Sequence, residues 1–169
     1  MSVPSAIYVR PPQAADKTAW LAAVATSRSL HRPWITAPET AAEFRAYLKR
    51  MALPINRGYL ICRADTDEIA GVINLTNMIL GPFRSGYLGY YAFSGHEHRG
   101  YMRAGLKAVT RHAFGTLKMH RLEANIQPGN AASIALVRAC GFSKEGYSPR
   151  YLKIGGRWRD HERWAILAY

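Results

Sequence analysis

The stretch that decides the fold is Tyr87-Leu-Gly-Tyr-Tyr-Ala-Phe-Ser-Gly-His-Glu-His-Arg-Gly-Tyr-Met102, read with Asn130-Ala-Ala-Ser133 and Gly141-Phe142 downstream. Residues 87–93 are rich in aromatics and read as a strand. Residues 94–100 form a polar turn, and a helix begins at Tyr101. A strand feeding a glycine-bearing turn into a helix N-terminus is a physical device for holding phosphate. The turn's N–H groups and the positive end of the helix dipole converge on one anion.

The rest of the chain organises around this unit. Ile7–Arg10 reads as a strand, and residues 16–27 as a helix with Trp20, Leu21 and Val24 on one side. His31-Arg-Pro-Trp34 reads as a loop. Thr36-Ala-Pro-Glu39 carries a helix-start signature, with a capping hydroxyl, a proline in the first turn and a glutamate three residues on. That helix runs to Met51 and buries Ala41, Phe44, Leu48 and Met51. Residues 58–64 and 68–76 read as a hairpin around Asp65-Thr-Asp67. Gly81-Pro82 and Ser85-Gly86 break the chain before the next strand.

The helix at 101–116 places Met102, Leu106, Val109, Ala113 and Leu117 on one stripe and Arg103, Lys107 and Arg111 on another. Arg121–Ile126 is a strand. Asn130 caps a helix that reaches Cys140 and stops at Gly141. Residues 145–154 and Arg157–Leu167 read as a hairpin about Gly155-Gly156. The order β-α-α-β-β-β-α-β-α-β-β predicts one α/β layered domain across residues 1–169, with a mixed sheet rather than repeated βαβ winding.

Composition bounds the function. Of 169 residues, 49% are apolar and 20% charged, as expected for a globular protein. No apolar run reaches the roughly 18 residues that a membrane span needs. Met1-Ser-Val-Pro-Ser-Ala-Ile7 lacks a basic region followed by an apolar stretch, so no secretory signal is read there. Cys62 and Cys140 have apolar flanks, which predicts buried free thiols in a reducing cytoplasm. The net charge of +12 predicts attraction to polyanions such as RNA, the ribosome or phosphate-rich ligands. It also fits a basic surface with no partner, since the cations are spread and form no tail. His96-Glu-His98 suggests a metal pair, but no third ligand has suitable spacing, so no metal is expected.

Taken together, segments in order resemble the GNAT superfamily of acetyl-CoA-dependent N-acetyltransferases. They are Gly71-Val-Ile-Asn-Leu-Thr-Asn77, then Tyr87-Leu-Gly-Tyr90 through Gly100-Tyr-Met102 to Leu106, then His120-Arg-Leu122 through Asn130 to Gly141-Phe142. The last is Glu145-Gly-Tyr147 with Tyr151-Leu-Lys-Ile-Gly-Gly-Arg-Trp-Arg-Asp-His161. Within the superfamily they resemble the RimJ/RimL group, which acetylates protein N-termini, ribosomal proteins among them.

The resemblance implies the GNAT acyl-CoA N-acyltransferase fold, with a mixed, mostly antiparallel central sheet flanked by helices. It implies acetyl-CoA as donor and coenzyme A as product, with direct attack by the amine in a ternary complex. It places the pantetheine arm along Tyr91, Ala92 and Phe93, and the phosphates on His98, Arg99, Gly100, Tyr101, Met102, Arg103 and Ala104. Asn130 and Ser133 fall in the second cofactor segment. One departure stands out: His98 occupies the place of the loop's usual first glycine. Val137 stands where many relatives carry a tyrosine that assists the leaving thiolate, so Ser133 is the expected donor. Cys140 is not expected to act as a nucleophile.

Glu123 is the candidate base, its alternative being an ion pair with Arg121 or Lys118. An α-amine of pKa near 7.8 is about a tenth neutral at pH 7, whereas a lysine near 10.4 is almost wholly charged. This favours an N-terminal acceptor by about 3.5 kcal/mol. Asn74, Asn77, Tyr87, Tyr147 and Tyr151 are candidate walls of the acceptor groove, with ordinary strand or core roles as the alternative. Asp160 and His161 are adjacent on a strand and face opposite sides, so Asp160 reads as structural. The implied acceptor is alanine or serine at the N-terminus of a ribosomal protein. The alternatives are a polyamine or aminoglycoside acetyltransferase, and a GNAT-like module that docks on ribosomal RNA.

Overall fold

Strands β1 (Ile7–Arg10), β2 (Arg57–Arg63), β3 (Ile69–Ile79), β4 (Ser85–Ala92), β5 (Arg121–Ile126), β6 (Ser143–Ile154) and β7 (Arg157–Leu167) form one sheet in the order β1-β2-β3-β4-β5-β7-β6. In this computed structural model, which describes residues 6–169, every neighbouring pair is antiparallel except β4–β5. The mixed, mostly antiparallel α/β sheet is the one expected. Residues 1–5, where no secretory signal was read, lie outside the described residues.

One face carries a 3-10 turn (Ala14–Asp16), α1 (Lys17–Thr26), α2 (Arg28–His31) and α3 (Ala41–Met51); the other carries α4 (Tyr101–Gly115) and α5 (Ala131–Ala139). Trp20, Val24, Phe44 and Tyr47 pack on Leu60, Cys62, Val72 and Phe93. Leu106, Val109 and Ala113 pack on Ile61, Ile73 and Leu122. With both faces covered, residues Gly58 to Cys62 of β2 are all buried, and the strand reads as a continuous apolar run instead of an alternation. Cys62 and Cys140 belong to opposite faces and are both free.

The structure corrects the start of α3. Thr40 is the N-cap: its hydroxyl accepts from Glu43 N–H at 3.1 Å, and the Glu43 carboxylate accepts from Thr40 N–H at 3.2 Å. Thr36–Glu39 stays outside the helix because Ala37 is buried against α1 and the Pro38 carbonyl accepts the Trp20 indole N–H at 3.2 Å. The cap shift moves the buried face to Phe44, Tyr47 and Met51, leaving Ala41 and Leu48 half-buried. His31 is likewise not a loop residue; it closes α2 and is buried.

Gly105 sets how closely α4 rests on the sheet. A Cβ there would meet Ile61 Cδ1 at 2.6 Å and Cγ1 at 2.9 Å. Ile61 is fully buried and β-branched, so it has little room to turn aside. Gly105→Val is therefore expected to lower stability by about 1–3 kcal/mol through overpacking. An unchanged urea midpoint at unchanged slope would show that α4 is free to move.

Candidate functional site

The site opens where β4 and β5 part. Their parallel pairing runs from Ser85–Arg121 to Leu88–Ala124 and stops. Beyond it β4 stays paired with β3 to Ala92, and β5 stays paired with β7 to Ile126. A wedge forms between the two inner edges. Phe93 N–H donates to the Ala70 carbonyl at 2.9 Å. Main-chain groups alternate along an antiparallel strand, so Tyr91 also pairs with β3, while Tyr90 and Ala92 point into the wedge. The expected main-chain edge of Tyr91, Ala92 and Phe93 thus shifts by one residue. Ala92 stays, Tyr90 joins it, and the peptide groups of Tyr91 and Phe93 belong to the sheet.

A cavity of about 320 Å³ fills the wedge and extends to the start of α4. Of the residues expected to hold the cofactor, Tyr91, Ala92, His98, Gly100, Tyr101, Met102, Arg103, Asn130 and Ser133 line it. Phe93 lies in the core, and Arg99 and Ala104 point away to solvent. A second cavity of about 80 Å³ continues deeper. The two share Trp34, Ile35, Tyr90, Asn130 and Ser133, and the deeper one adds Gly89, Asn125, Gln127 and His161.

The N-terminus of α4 is electrostatically bare. α3 is capped by Thr40, and α5 by Asn130, whose Oδ1 accepts from Ser133 N–H at 3.3 Å. α4 has Gly100 at its N-cap and no side-chain cap. Its first helical bond is Ala104 N–H to the Gly100 carbonyl, so the N–H groups of Tyr101, Met102 and Arg103 have no partner within the helix. These donors and the helix dipole suit an anion. His98 holds φ at +60° and Gly100 at +81°, so the histidine adopts the left-handed backbone that a glycine would.

Two residues that sequence reasoning passed over join the site. The Tyr90 phenol lies 2.7 Å from the Ser133 hydroxyl, and burial pushes its pKa far up, so it stays protonated. Strand alternation carried this signal: Tyr90 must face α5 if Tyr91 faces α1 and α3. Val137, meanwhile, is wholly buried in the core. His31 Nε2 lies 2.8 Å from the Ala92 carbonyl and holds it as donor. Its ring packs edge-on against Tyr91 at 4.9 Å. Nothing local in the sequence marks that contact, which spans |i−j| = 61.

The acceptor candidates divide. Glu123 accepts from Arg121 Nε at 2.7 Å, and the same guanidinium binds Glu145. Glu123 lines neither cavity. It lies beside Tyr87, whose pKa is raised by burial first and then by Glu123 and Tyr151. Tyr87, Tyr151 and Glu123 therefore share one neighbourhood, and Tyr151 packs against His161 at 6.2 Å. Asn74 is bonded by the Tyr47 hydroxyl at 2.7 Å. Asn77 is exposed where the β3–β4 register breaks, and its N–H donates to Asn56. The Tyr147 hydroxyl donates to Asp160 at 2.5 Å, and Arg150 N–H donates to the same carboxylate at 2.8 Å. Burial pushes the Cys140 thiol up, away from nucleophilic character.

The family model described as Acetyltransferase (GNAT) domain matches residues 7–143. The chain belongs to the GNAT acetyltransferase family. Within it, the chain is 29% identical to the probable N-acetyltransferase YjcK of Bacillus subtilis, over 95% of this chain and 93% of that protein. It is 42% identical to the [ribosomal protein uS5]-alanine N-acetyltransferase of Escherichia coli over 97 residues, 57% of this chain and 50% of that protein. This GNAT fold superposes on Mycobacterium smegmatis RimJ in complex with CoA-disulfide with a TM-score of 0.90 at 26% identity, covering 98% of this chain and 84% of that one. It shares its fold with Vibrio cholerae spermidine N-acetyltransferase in complex with CoA and spermine, with a TM-score of 0.81 at 21% identity over 95% of both chains.

Burial lowers the His31 pKa from its ordinary 6.5, against an opposing pull from the Ala92 carbonyl. Below about pH 6.5 the unfolded chain takes up this proton before the folded one does, so the unfolded state binds more protons in that window. This contribution to stability is whole above about pH 6.5 and is lost as pH falls towards the folded-state pKa. His31→Gln is expected to flatten that loss, as read from urea midpoints between about pH 8 and about pH 5. An identical pH slope in the variant would remove His31 as its source.

Proposed function

We propose that the protein moves the acetyl group of acetyl-CoA onto the α-amine of a protein N-terminus that begins with alanine or serine, on a ribosomal protein. The observation that carries this reading is the wedge. It joins unpaired β4 peptide groups, the bare start of α4 and a small inner cavity in one continuous space. The fit of coenzyme A rests on these features: Tyr101–Arg103 N–H groups for the pyrophosphate, and Tyr90 and Ala92 peptides for the pantetheine arm. Bound there, acetyl-CoA supplies an activated acyl carbon.

The chain's own groups do the remaining work. Main-chain N–H groups at Tyr90 and Ala92 face the wedge and suit an oxyanion. Ser133, backed by the protonated Tyr90 phenol, can donate a hydrogen bond to the departing thiolate. That demand is modest, because a thiol of pKa near 8.5 leaves readily. No carboxylate lines the inner cavity among the described residues, which disfavours a polycationic acceptor such as spermidine. The inner cavity, at about 80 Å³, suits a small first side chain. Among the described residues no helix is long and apolar enough to cross a membrane, and the free thiols fit a cytoplasmic setting.

The test is thiol release from acetyl-CoA with short peptides that differ in their first two residues, with spermidine and an aminoglycoside beside them. Peptides starting with alanine or serine are expected to be consumed fastest. Preferential turnover of spermidine would overturn the acceptor assignment, and RNA binding with a steep salt dependence but no thiol release would overturn the enzyme. Ser133→Ala and Tyr90→Phe are each expected to lower kcat about tenfold or more with little change in acetyl-CoA affinity. Full turnover in both would take the hydroxyl pair out of the mechanism.

A further inference from the structure

The inner cavity contains two hydrogen-bond acceptors with nothing to accept. Asn125 Oδ1 is buried and has no partner among the described residues. An unpaired buried acceptor costs about 1–3 kcal/mol, so its retention calls for a reason. His161 is 3% exposed, and its Nδ1 lies 2.9 Å from the Arg159 carbonyl. A carbonyl can only accept, so Nδ1 carries the ring's proton, and in the neutral imidazole Nε2 presents a lone pair. That Nε2 has no partner among the described residues. Tyr151 packs against the ring at 6.2 Å and helps to fix it. Asn125 and His161 line the same 80 Å³ as Gly89, Tyr90 and Ser133.

We infer that Asn125 Oδ1 and His161 Nε2 seat the acceptor nitrogen, and that His161 removes its proton during acyl transfer. The inference rests on the acetyl-transfer reading above and adds a base to it. A neutral primary amine has two N–H donors and one lone pair. Two fixed acceptors take the two donors, which leaves the lone pair free to face the acyl carbon. The C–N bond forms as the carbonyl π pair moves to oxygen, and an N–H proton passes to His161 Nε2. The oxygen pair then restores the C=O bond, and the C–S bond breaks. Ser133, backed by the protonated Tyr90 phenol, donates a hydrogen bond to the departing thiolate, which takes up the imidazolium proton through solvent. Amide and thiol are the only net products. Glu123 cannot take this role directly from where it stands, held by Arg121 outside both cavities.

The test uses the full chain, acetyl-CoA and the best peptide of the panel. His161→Gln and His161→Ala are expected to lower kcat about a hundredfold, while the acetyl-CoA dissociation constant stays within about threefold of wild type. Free imidazole is expected to restore His161→Ala about tenfold and to leave wild type unchanged, a response that a purely structural role would not give. Asn125→Ala is expected to raise the peptide KM about tenfold, as loss of a buried acceptor should. Active wild type with His161→Gln turning over within about threefold would overturn the proposal alone. So would a His161→Ala loss that imidazole does not rescue. Wild type that consumes no acetyl-CoA with any amine would overturn the acetyl-transfer reading, and this inference with it.

Discussion

Parallel pairing between β4 and β5 ends at Leu88 and Ala124, although each strand keeps its outer neighbour for several residues more. Sheets twist, so two strands that lose their shared bonds diverge instead of running on side by side. Here the divergence is braced. His31 Nε2 holds the Ala92 carbonyl on the β4 lip, and Gln127 Nε2 donates to the Trp34 carbonyl at 3.2 Å from just beyond the β5 lip. The segment from His31 to Ile35 therefore spans the wedge from the α1–α3 face and ties both edges to itself. Remove that strap and the gap has no reason to keep its width.

A wedge inside a sheet creates a problem of hydrogen bonding that a ligand can solve. Main-chain groups that would be paired in a closed sheet are left at Tyr90 and at the Ala92 N–H, while His31 meets the Ala92 carbonyl. Next to them lie Asn125 Oδ1 and His96 Nδ1, both buried without partners and both lining the cavities. Two such atoms thus meet at the wedge, while Tyr59 Oη, Thr110 Oγ1, Arg159 Nε and Arg163 Nε lie outside both cavities. The capping pattern follows the same rule: α3 and α5 satisfy their first N–H groups with their own side chains, and α4 leaves them open to the cavity. Stability elsewhere carries this, through two cores of fully buried side chains on either face of the sheet.

Most strands and the long helices were legible in the sequence because each shows a local signal. The α4 stripe of Leu106, Val109 and Ala113 repeats at helical spacing, and all three are buried. Asn130 announced the α5 cap and makes it. The misreadings came where a distant contact decided the local structure. Pro38 looked like the first turn of a helix, but Trp20 holds its carbonyl, so the cap moved to Thr40. The site was legible as a loop and a helix start, not as a closed space. Tyr90, Trp34, His31 and His161 reach it through sheet register and through contacts that span much of the chain. Tyr90 alone could have been found by applying the period of two to a strand already recognised.

His98 shows why a departure from a familiar pattern need not disturb the geometry it serves. Gly95, His98 and Gly100 hold φ at +90°, +60° and +81°, the left-handed backbone from which anion-binding concavities are built. A side chain with a Cβ pays about 1–2 kcal/mol for that conformation, and histidine tolerates it better than most residues. Glu97 contributes in return, because its carboxylate accepts the Gly95 N–H at 2.6 Å, and such backbone bonds hold its pKa down. The imidazole of His98 is exposed, so it asks for no rearrangement of the core. The substitution therefore acts on the local energy of the turn and leaves its shape intact. The bare end of α4 stays aimed at the wedge because the turn's backbone, not the identity of one side chain, sets its direction.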